Sequence, residues 1–190
     1  MNAQTHYIRD GDLAIRRMRD TPDDYALVAK WLTDSEVLAY YDGRDNPSPL
    51  ERVMEDFGPM ARGEDATVPG IIEYLGAPIG YIQYYPTEAD EAAAYGLTDY
   101  SGHFGMDVVI GETAYWNQGL GTRIITAMLR YLFEDVGAQR VVIDPQTWNT
   151  RAVRVWEKCG FQRIKLLPAY ELHEGAYRDC WLMAADPPGE

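Results

Sequence analysis

The chain has 190 residues, of which 46% are hydrophobic, and its 30 acidic and 17 basic residues give a formal net charge of −13. This composition allows a packed core and excludes wholesale disorder, and the length suits a single domain over residues 1–190. The negative charge argues against nucleic acid or an anionic membrane as a partner, because both bind cationic surfaces. The excess is concentrated in residues 63–122, which hold nine acidic residues and no Lys or Arg.

Hydrophobic spacing and turn residues predict a mixed α/β chain that begins with a strand and two or three helices. Strands are predicted at 13–18, 70–74, 79–85, 103–110, 141–143, 161–167 and 177–183, and helices at 22–32, 34–41, 48–61, 119–135 and 149–159. The strands 70–74 and 79–85 are expected to form a hairpin. Ser48 and Glu51 are spaced for a capping box, and residues 86–101 are predicted to be an acidic loop.

The two cysteines, Cys159 and Cys180, are too few for a disulfide framework or a zinc site, so no metal is expected. They fit a reducing compartment. The N-terminus has no apolar segment typical of a signal peptide, and no run approaches a membrane span. We therefore expect a cytoplasmic protein without membrane contact, a monomer or homodimer, with a frayed tail at 185–190.

A glycine-rich turn, Gln118-Gly119-Leu120-Gly121-Thr122, follows the strand that ends at Ile110 and opens a helix. At a helix N-terminus such a turn lets backbone N–H groups close on an anion, and a phosphate is the expected ligand. A plain strand-to-helix turn has the same sequence, so both interpretations stay open. The Lys-Ser/Thr pair of a P-loop and the third glycine of the dinucleotide fingerprint are missing.

A second segment starts a helix at Asn149 and ends at Gly160-Phe161. Asn149, Ala152 and Trp156 share one helix face, and the small Ala leaves room for a ligand to pass. An N-cap Asn on an amphipathic helix with a buried Trp explains the same residues, and that alternative stays open.

Together, Q-G-L-G-T after a strand and N-x-x-A-x-x-x-W-x-K-x-G-F resemble the GNAT superfamily of acetyl-CoA-dependent N-acetyltransferases. The resemblance implies a GNAT fold, with a mixed, mostly antiparallel central sheet, a splayed strand pair and flanking helices. It also implies acetyl-CoA as co-substrate, bound by the strand, the turn and the second helix. The implied coenzyme A residues are Val108, Val109, Ile110, Gln118, Gly119, Leu120, Gly121, Thr122, Asn149, Ala152, Trp156 and Lys158.

Segments outside these blocks, at 30–34, 41–45, 78–83, 105–107, 143–145 and 171–175, are similar to the aminoglycoside 6′-N-acetyltransferases. The similarity extends to the acetyltransferase half of bifunctional acetyltransferase–phosphotransferase resistance enzymes, and no phosphotransferase is expected here. Aminoglycosides are polycations, which need several carboxylates for charge-assisted hydrogen bonds and are steered by negative potential. The implied substrate residues are Trp31, Asp34, Tyr81, Gln83, Asp107, Asp144, Glu171, His173, Glu174 and Asp179.

The resemblance makes Asp107 the active-site acid, which acts as general base or orients the substrate ammonium. The backbone N–H of Val109, or of Val108, is the expected oxyanion donor, and amine and thioester react directly without an acyl-enzyme.

Two positions depart from the family pattern. Trp156 stands where many relatives have Tyr and is a poor acid, so the proton donor to the leaving thiolate is open. Trp116 stands where many have Gln or Arg, which leaves more phosphate contacts to the backbone.

Two other functions are compatible with the sequence. The first is a GNAT enzyme acting on another amine, such as a siderophore precursor, a polyamine or a protein N-terminus. The second is a non-catalytic acyl-CoA-binding regulator, because one fold hosts many functions.

Overall fold

The computed structural model describes residues 6–189, and these form a mixed α/β fold. The strands are β1 (His6–Asp10), β2 (Leu13–Arg17), β3 (Val68–Tyr74), β4 (Ala77–Pro86), β5 (His103–Ile110), β6 (Arg140–Ile143), β7 (Gln162–His173) and β8 (Ala176–Ala185). The helices are α1 (Pro22–Trp31), α2 (Ser35–Leu38), α3 (Leu50–Arg62), α4 (Ala89–Tyr95), α5 (Leu120–Tyr131) and α6 (Thr150–Lys158). The strands form one sheet in the order β1-β2-β3-β4-β5-β6-β8-β7, which confirms the predicted fold class.

The chain divides into two compact units. The first contains the residues up to Tyr84 together with Asp107–Ile124, and the second contains Tyr85–Met106 together with the residues from Ile125 onward. The single domain expected over residues 1–190 stays a prediction. Within residues 6–189, no helix is both long enough and apolar enough to cross a bilayer.

In the first unit, β1, β2, β3 and β4 pair antiparallel in sequence order. The predicted hairpin is confirmed, and Leu75 and Gly76 turn the chain with positive φ angles of 52° and 80°. That pair of angles is typical of the two-residue turns that match the twist of a hairpin. Helices α1 and α3 contribute to an apolar core that includes Val28, Trp31, Val53, Ile71 and Tyr81.

A buried charge network lies within this unit. The guanidinium of Arg16 donates to both oxygens of Asp24, at 2.6 and 2.9 Å, and to Glu73 at 2.8 Å. Asp24 is fully buried, and it also accepts the backbone N–H of Arg19 at 2.8 Å. Burial alone would raise the pKa of Asp24, but the hydrogen bonds from Arg19 and Arg16 lower it to about 2.

In the second unit, β8 pairs antiparallel with both β6 and β7. His103–Gly105 of β5 pairs in parallel with Arg140–Val142 of β6, and the register ends at Gly105. Tyr95 of α4 joins Val142, Leu167 and Leu182 in the apolar core of this unit. Helix α6 ends in a turn at Gly160, whose φ of 97° suits glycine.

Several local predictions are wrong. The capping box is not formed, because Pro49 is the N-cap of α3 and no side chain caps the helix. Helix α4 lies inside the predicted acidic loop, and β1 precedes the first predicted strand. The helix predicted to run to 135 continues only as α5, and Leu132–Val136 is a wider, π-helical turn.

The closing strands are longer than predicted, because β7 runs to His173 and β8 starts at Ala176. The frayed tail predicted at 185–190 starts too early. Ala185 pairs with Val141 in the sheet, and Asp186 accepts hydrogen bonds of 2.6 and 2.8 Å from Arg140. Residue 190 of that tail lies outside the described residues.

Replacing Asp24 should destabilise the fold strongly. Asp24→Asn removes the charge opposite buried Arg16, and breaking a buried ion pair costs about 3–5 kcal/mol. Because the folded-state pKa of Asp24 is lowered to about 2, its contribution is present above pH ~4 and is lost as the pH falls toward 2. Urea unfolding of both proteins at pH 7 and at pH 2.5 measures this difference, which should shrink at the lower pH.

The matched control is Glu64→Gln, which removes a carboxylate from an exposed ion pair with Arg62. It should have a much smaller effect than Asp24→Asn, because exposed pairs contribute little. An equal loss of stability in the two variants would contradict the role of burial.

Candidate active site

A line of hydrogen-bonded side chains in the first unit leads from the core to Asp107 on β5. The hydroxyl of Tyr81 donates to Oε1 of Gln83, and Nε2 of Gln83 donates to Oδ2 of Asp107 at 2.6 Å. Tyr81 is fully buried, and the ring of Phe57 packs edge-on against it at 5.2 Å between centroids. The Tyr81 hydroxyl therefore fixes which end of the Gln83 amide faces Asp107. The structure brings these three predicted site residues together.

Trp31, another predicted substrate residue, lies in the core with 1% of its surface exposed. Its indole N–H donates to Oε1 of Glu112 at 2.8 Å. A Cβ at Gly111 would lie 2.0 Å from Cγ of Trp31, so the indole packs directly against the backbone after β5. Asp34, predicted with Trp31, is exposed and caps α2 by accepting the N–H of Glu36 at 2.8 Å.

Glu112 was not predicted as a site residue. Burial alone would raise the pKa of its carboxyl, but hydrogen bonds from Lys30 and Trp31 bring the pKa below its ordinary value. Both donors stand 81 or 82 residues earlier in the chain, so no local pattern indicated the contact. Glu112 is therefore a charged anchor for the segment that leaves β5.

The predicted glycine turn occurs as expected between β5 and α5. Asn117 and Gly119 have positive φ angles of 61° and 78°, and α5 begins at Leu120 with no acidic residue in its first turn. A Cβ at Gly119 would meet no atom within 4 Å, so the turn opens to free space. Backbone N–H groups next to open space, at the start of a twelve-residue helix whose first turn has no acidic residue, fit a phosphate group.

Two side chains near this turn donate hydrogen bonds to backbone carbonyl groups of the same loop or of β5. Nε2 of Gln118 donates to the carbonyl of Ala114 at 2.7 Å, and the indole N–H of Trp116 donates to the carbonyl of Ile110, also at 2.7 Å. Within β5, Val109 is buried, and a Cβ at Gly80 of β4 would lie 2.1 Å from its carbonyl oxygen. The backbone, more than side chains, is thus available to an anionic ligand here.

The second predicted coenzyme A segment lies on α6 in the second unit. Oδ1 of Asn149 accepts the N–H of Ala152 at 3.2 Å and so caps the helix. Trp156 is buried and packs edge-on against Phe161 at 5.1 Å between centroids, whereas Lys158 is exposed. Asn149 is therefore an N-cap and Trp156 a buried packing residue, as the structural alternative predicts. A role of these residues in binding coenzyme A stays a prediction.

Asp144, at the end of β6, belongs to a half-buried group of carboxylates and tyrosines in the second unit. Burial raises the pKa of Asp144, and a hydrogen bond from Tyr95 partly offsets that rise. Tyr95 also donates to Oε1 of Glu91 at 3.1 Å, and burial raises the pKa of Glu91. Because a phenol has one proton, the hydroxyl serves one carboxylate at a time. Glu91 and Tyr95 were missed because α4 was predicted as a loop.

The remaining predicted substrate residues lie on the β7–β8 hairpin. His173 is 3% exposed, its Nδ1 lies 3.2 Å from Nε2 of Gln146, and the ring of Trp148 covers it at 5.4 Å. Oδ1 of Asp179 accepts the N–H of Ala169 at 2.8 Å and braces an irregular stretch of β7. Glu171 lies 3.7 Å from the Cys180 thiol, and Glu174 forms the turn with a φ of 49°.

Three elements follow one another along the chain: a strand that bears an acid, a glycine turn at a helix N-terminus, and a capped helix. This order is typical of acetyltransferases of the GNAT type. The chain belongs to this family, because residues 20–168 match the family described as the acetyltransferase (GNAT) domain. The match covers both units, and it includes all the predicted catalytic and coenzyme A residues.

The chain is also similar to individual acetyltransferases whose substrates are named. Over 143 residues the chain is 29% identical to an aminoglycoside N(6′)-acetyltransferase type 1 of Klebsiella pneumoniae, which covers 75% of this chain and 71% of the relative. The crystal structure of the aminoglycoside acetyltransferase AAC(6′)-Ib with coenzyme A and kanamycin is 26% identical, with a TM-score of 0.71 over 92% of this chain and 94% of that one. A spermidine N-acetyltransferase from Vibrio cholerae, 16% identical with a TM-score of 0.75 over 93% of this chain and 96% of that one, shares the fold.

Tyr95→Phe should raise the pKa of Asp144 further. The variant removes the hydroxyl whose hydrogen bond favours the ionised carboxylate, while desolvation by burial remains. A pH titration of the Asp144 carboxyl carbon by NMR measures the change. Tyr177→Phe, which alters an exposed tyrosine of β8, should leave the titration as in the parent protein. An unchanged or lower Asp144 pKa in Tyr95→Phe would show that the hydroxyl does not stabilise this carboxylate.

Proposed function

We propose that this chain acetylates the 6′-amine of aminoglycosides with acetyl-CoA and thereby confers resistance to them. The observation that carries the proposal is the line Tyr81–Gln83–Asp107, which ends in an oriented carboxylate on the strand that leads to the glycine turn. The relatives named as aminoglycoside acetyltransferases support the choice of substrate, since one matches over 75% of the chain.

Acetyl-CoA would be held mainly by backbone groups. The open turn at Gly119 and the N-terminus of α5 fit the pyrophosphate, and β5 from Val108 to Ile110 offers its edge to the pantetheine arm. Gln118, whose amide is occupied by Ala114, would contribute its backbone rather than its side chain. When bound, acetyl-CoA supplies the acetyl group as a thioester.

Asp107 would prepare the substrate amine. An ammonium cannot attack until it loses a proton, and Asp107 takes that proton directly or through a water molecule. The neutral nitrogen then bonds to the carbonyl carbon of the acetyl group while the carbon–sulfur bond breaks and the sulfur leaves as a thiolate. The nitrogen releases a second proton to water, which leaves a neutral amide. The backbone N–H of Val109 or Val108 would stabilise the negative charge that develops on the carbonyl oxygen. Holding both reactants in place supplies most of the remaining acceleration.

The substrate carries several ammonium groups, and each unit, taken by itself, holds carboxylates of the kind that bind an ammonium. Asp144 and Glu91 share Tyr95, and Glu171, Glu174 and Asp179 lie on the β7–β8 hairpin. Charge-assisted hydrogen bonds to ammonium groups are strong where they are partly shielded from water. We also propose that the reaction takes place in the cytoplasm, because two cysteines that form no disulfide with each other fit a reducing compartment.

The experiment that tests the proposal measures thiol release from acetyl-CoA against a panel of amines. We expect turnover with kanamycin and tobramycin, and none with an aminoglycoside that carries a 6′-hydroxyl in place of the amine. Mass spectrometry and NMR of the product should place one acetyl group on the 6′-nitrogen. Faster turnover of spermidine, a hydroxylysine or a peptide N-terminus than of every aminoglycoside would contradict the substrate assignment.

Asp107→Asn should lower kcat with aminoglycosides by about 10²- to 10⁴-fold, the usual contribution of a general base. The amide is nearly isosteric and still hydrogen-bonds, but it cannot accept the proton. Steady-state kinetics at saturating acetyl-CoA measures the effect, with Glu134→Gln, an exposed carboxylate on the π-helical turn, as a control of equal charge change. A kcat within about threefold of the parent would exclude Asp107 as the general base.

A further inference from the structure

Trp116 lies in the loop that joins β5 to the glycine turn, and it bridges the two ends of that loop. Its indole N–H donates to the carbonyl of Ile110 at 2.7 Å. Ile110 is the last residue of β5, and Gly119 follows three residues after Trp116. One hydrogen bond thus connects the strand proposed to hold the pantetheine arm with the turn proposed to hold the pyrophosphate.

Neighbouring groups of the protein hold the ring of Trp116 in place. Its backbone N–H donates to Thr113 at 3.0 Å and closes a short 3-10 helix, Thr113–Tyr115. The ring of Tyr40 packs edge-on against the indole at 5.8 Å between centroids. Gln118 adds a second bond across the same loop, to Ala114. The loop is therefore braced by contacts within the protein.

The beginning of the loop is fixed independently. The backbone N–H groups of Gly111 and Glu112 both donate to the carbonyl of Ile79, at 2.9 and 3.0 Å, and the Glu112 carboxylate accepts the indole N–H of Trp31. Because the residues after β5 cannot shift, the Trp116 bond determines where the glycine turn begins relative to the strand.

The geometry points to Trp116 as a positioning residue for coenzyme A, whose indole N–H sets the spacing between the end of β5 and the glycine turn. A ligand that spans two subsites gains from both only if their spacing matches its own length. This inference rests on the proposed acetyl-CoA site. It explains why a tryptophan stands here: the side chain serves the loop and not the phosphate.

The test is Trp116→Phe, which keeps an aromatic ring beside Tyr40 and removes the N–H donor. Isothermal titration calorimetry compares coenzyme A with 3′-phospho-ADP, which carries the pyrophosphate without the pantetheine arm. We expect the Kd for coenzyme A to rise about threefold to tenfold, the usual effect of losing one hydrogen bond, and the Kd for the fragment to change by less than about twofold. The KM for acetyl-CoA should rise with it, while the KM for the amine stays as in the parent.

Trp181→Phe is the matched control, because it removes an indole from β8 in the second unit. It should leave both Kd values unchanged. An equal rise for coenzyme A and for the fragment in Trp116→Phe would overturn the inference, since Trp116 would then shape only the turn. An unchanged Kd for coenzyme A would also overturn it. Failure of the parent protein to bind coenzyme A would instead overturn the proposed function.

A measurement on the parent protein covers the case in which Trp116→Phe does not fold. The indole N–H resonance of Trp116 should be protected from solvent exchange in the free protein, and its chemical shift should be the same with the fragment and with coenzyme A. Exchange at the rate of an exposed indole would overturn the inference.

Discussion

Close packing around the end of β5 is the constraint on which the first unit depends. Gly80 and Gly111 are required there, because a Cβ at either position would lie about 2 Å from a carbonyl oxygen of Val109 or from the ring of Trp31. With those side chains absent, β4 and the indole of Trp31 approach the backbone from different directions. Ile79 then accepts two backbone N–H groups after the strand.

Several acidic residues of the central segment, residues 63–122, form ion pairs and hydrogen bonds within the fold. Glu73 pairs with Arg16, Glu64 with Arg62, and Glu112 with Lys30, and all three bases come from the first 62 residues. Asp65 and Asp99 accept backbone N–H groups of nearby turns. The central segment has no Lys or Arg of its own, so the cations that pair with these carboxylates come from the first 62 residues.

The sequence predicted the elements that rest on local patterns. Strand β5 was predicted with its observed bounds, and the hairpin and glycine turn followed from Gly76 and Gly119. Helix α4 was missed because its seven residues are mostly acidic or alanine and show no apolar periodicity. The side chain that anchors the helix, Tyr95, is buried by packing against the core of the second unit. The edge strand β1 and the contact between Trp31 and Glu112 likewise depend on partners far along the chain.

Among the candidate site residues, the resemblance implied Asp107, Gln83 and Tyr81, but no pattern in the sequence indicated the order of the hydrogen bonds that the structure shows between them. A comparison between the hydrogen-bond partners of Asp107 and those of Asp24 gives a reason for that order. A guanidinium beside Asp24 lowers its pKa to about 2, which makes that carboxylate too weak a base to take a proton from an ammonium. Gln83 instead orients Asp107 through a neutral amide, which itself adds no positive charge. Under the proposed mechanism, Asp107 has to attract and deprotonate the ammonium of the substrate.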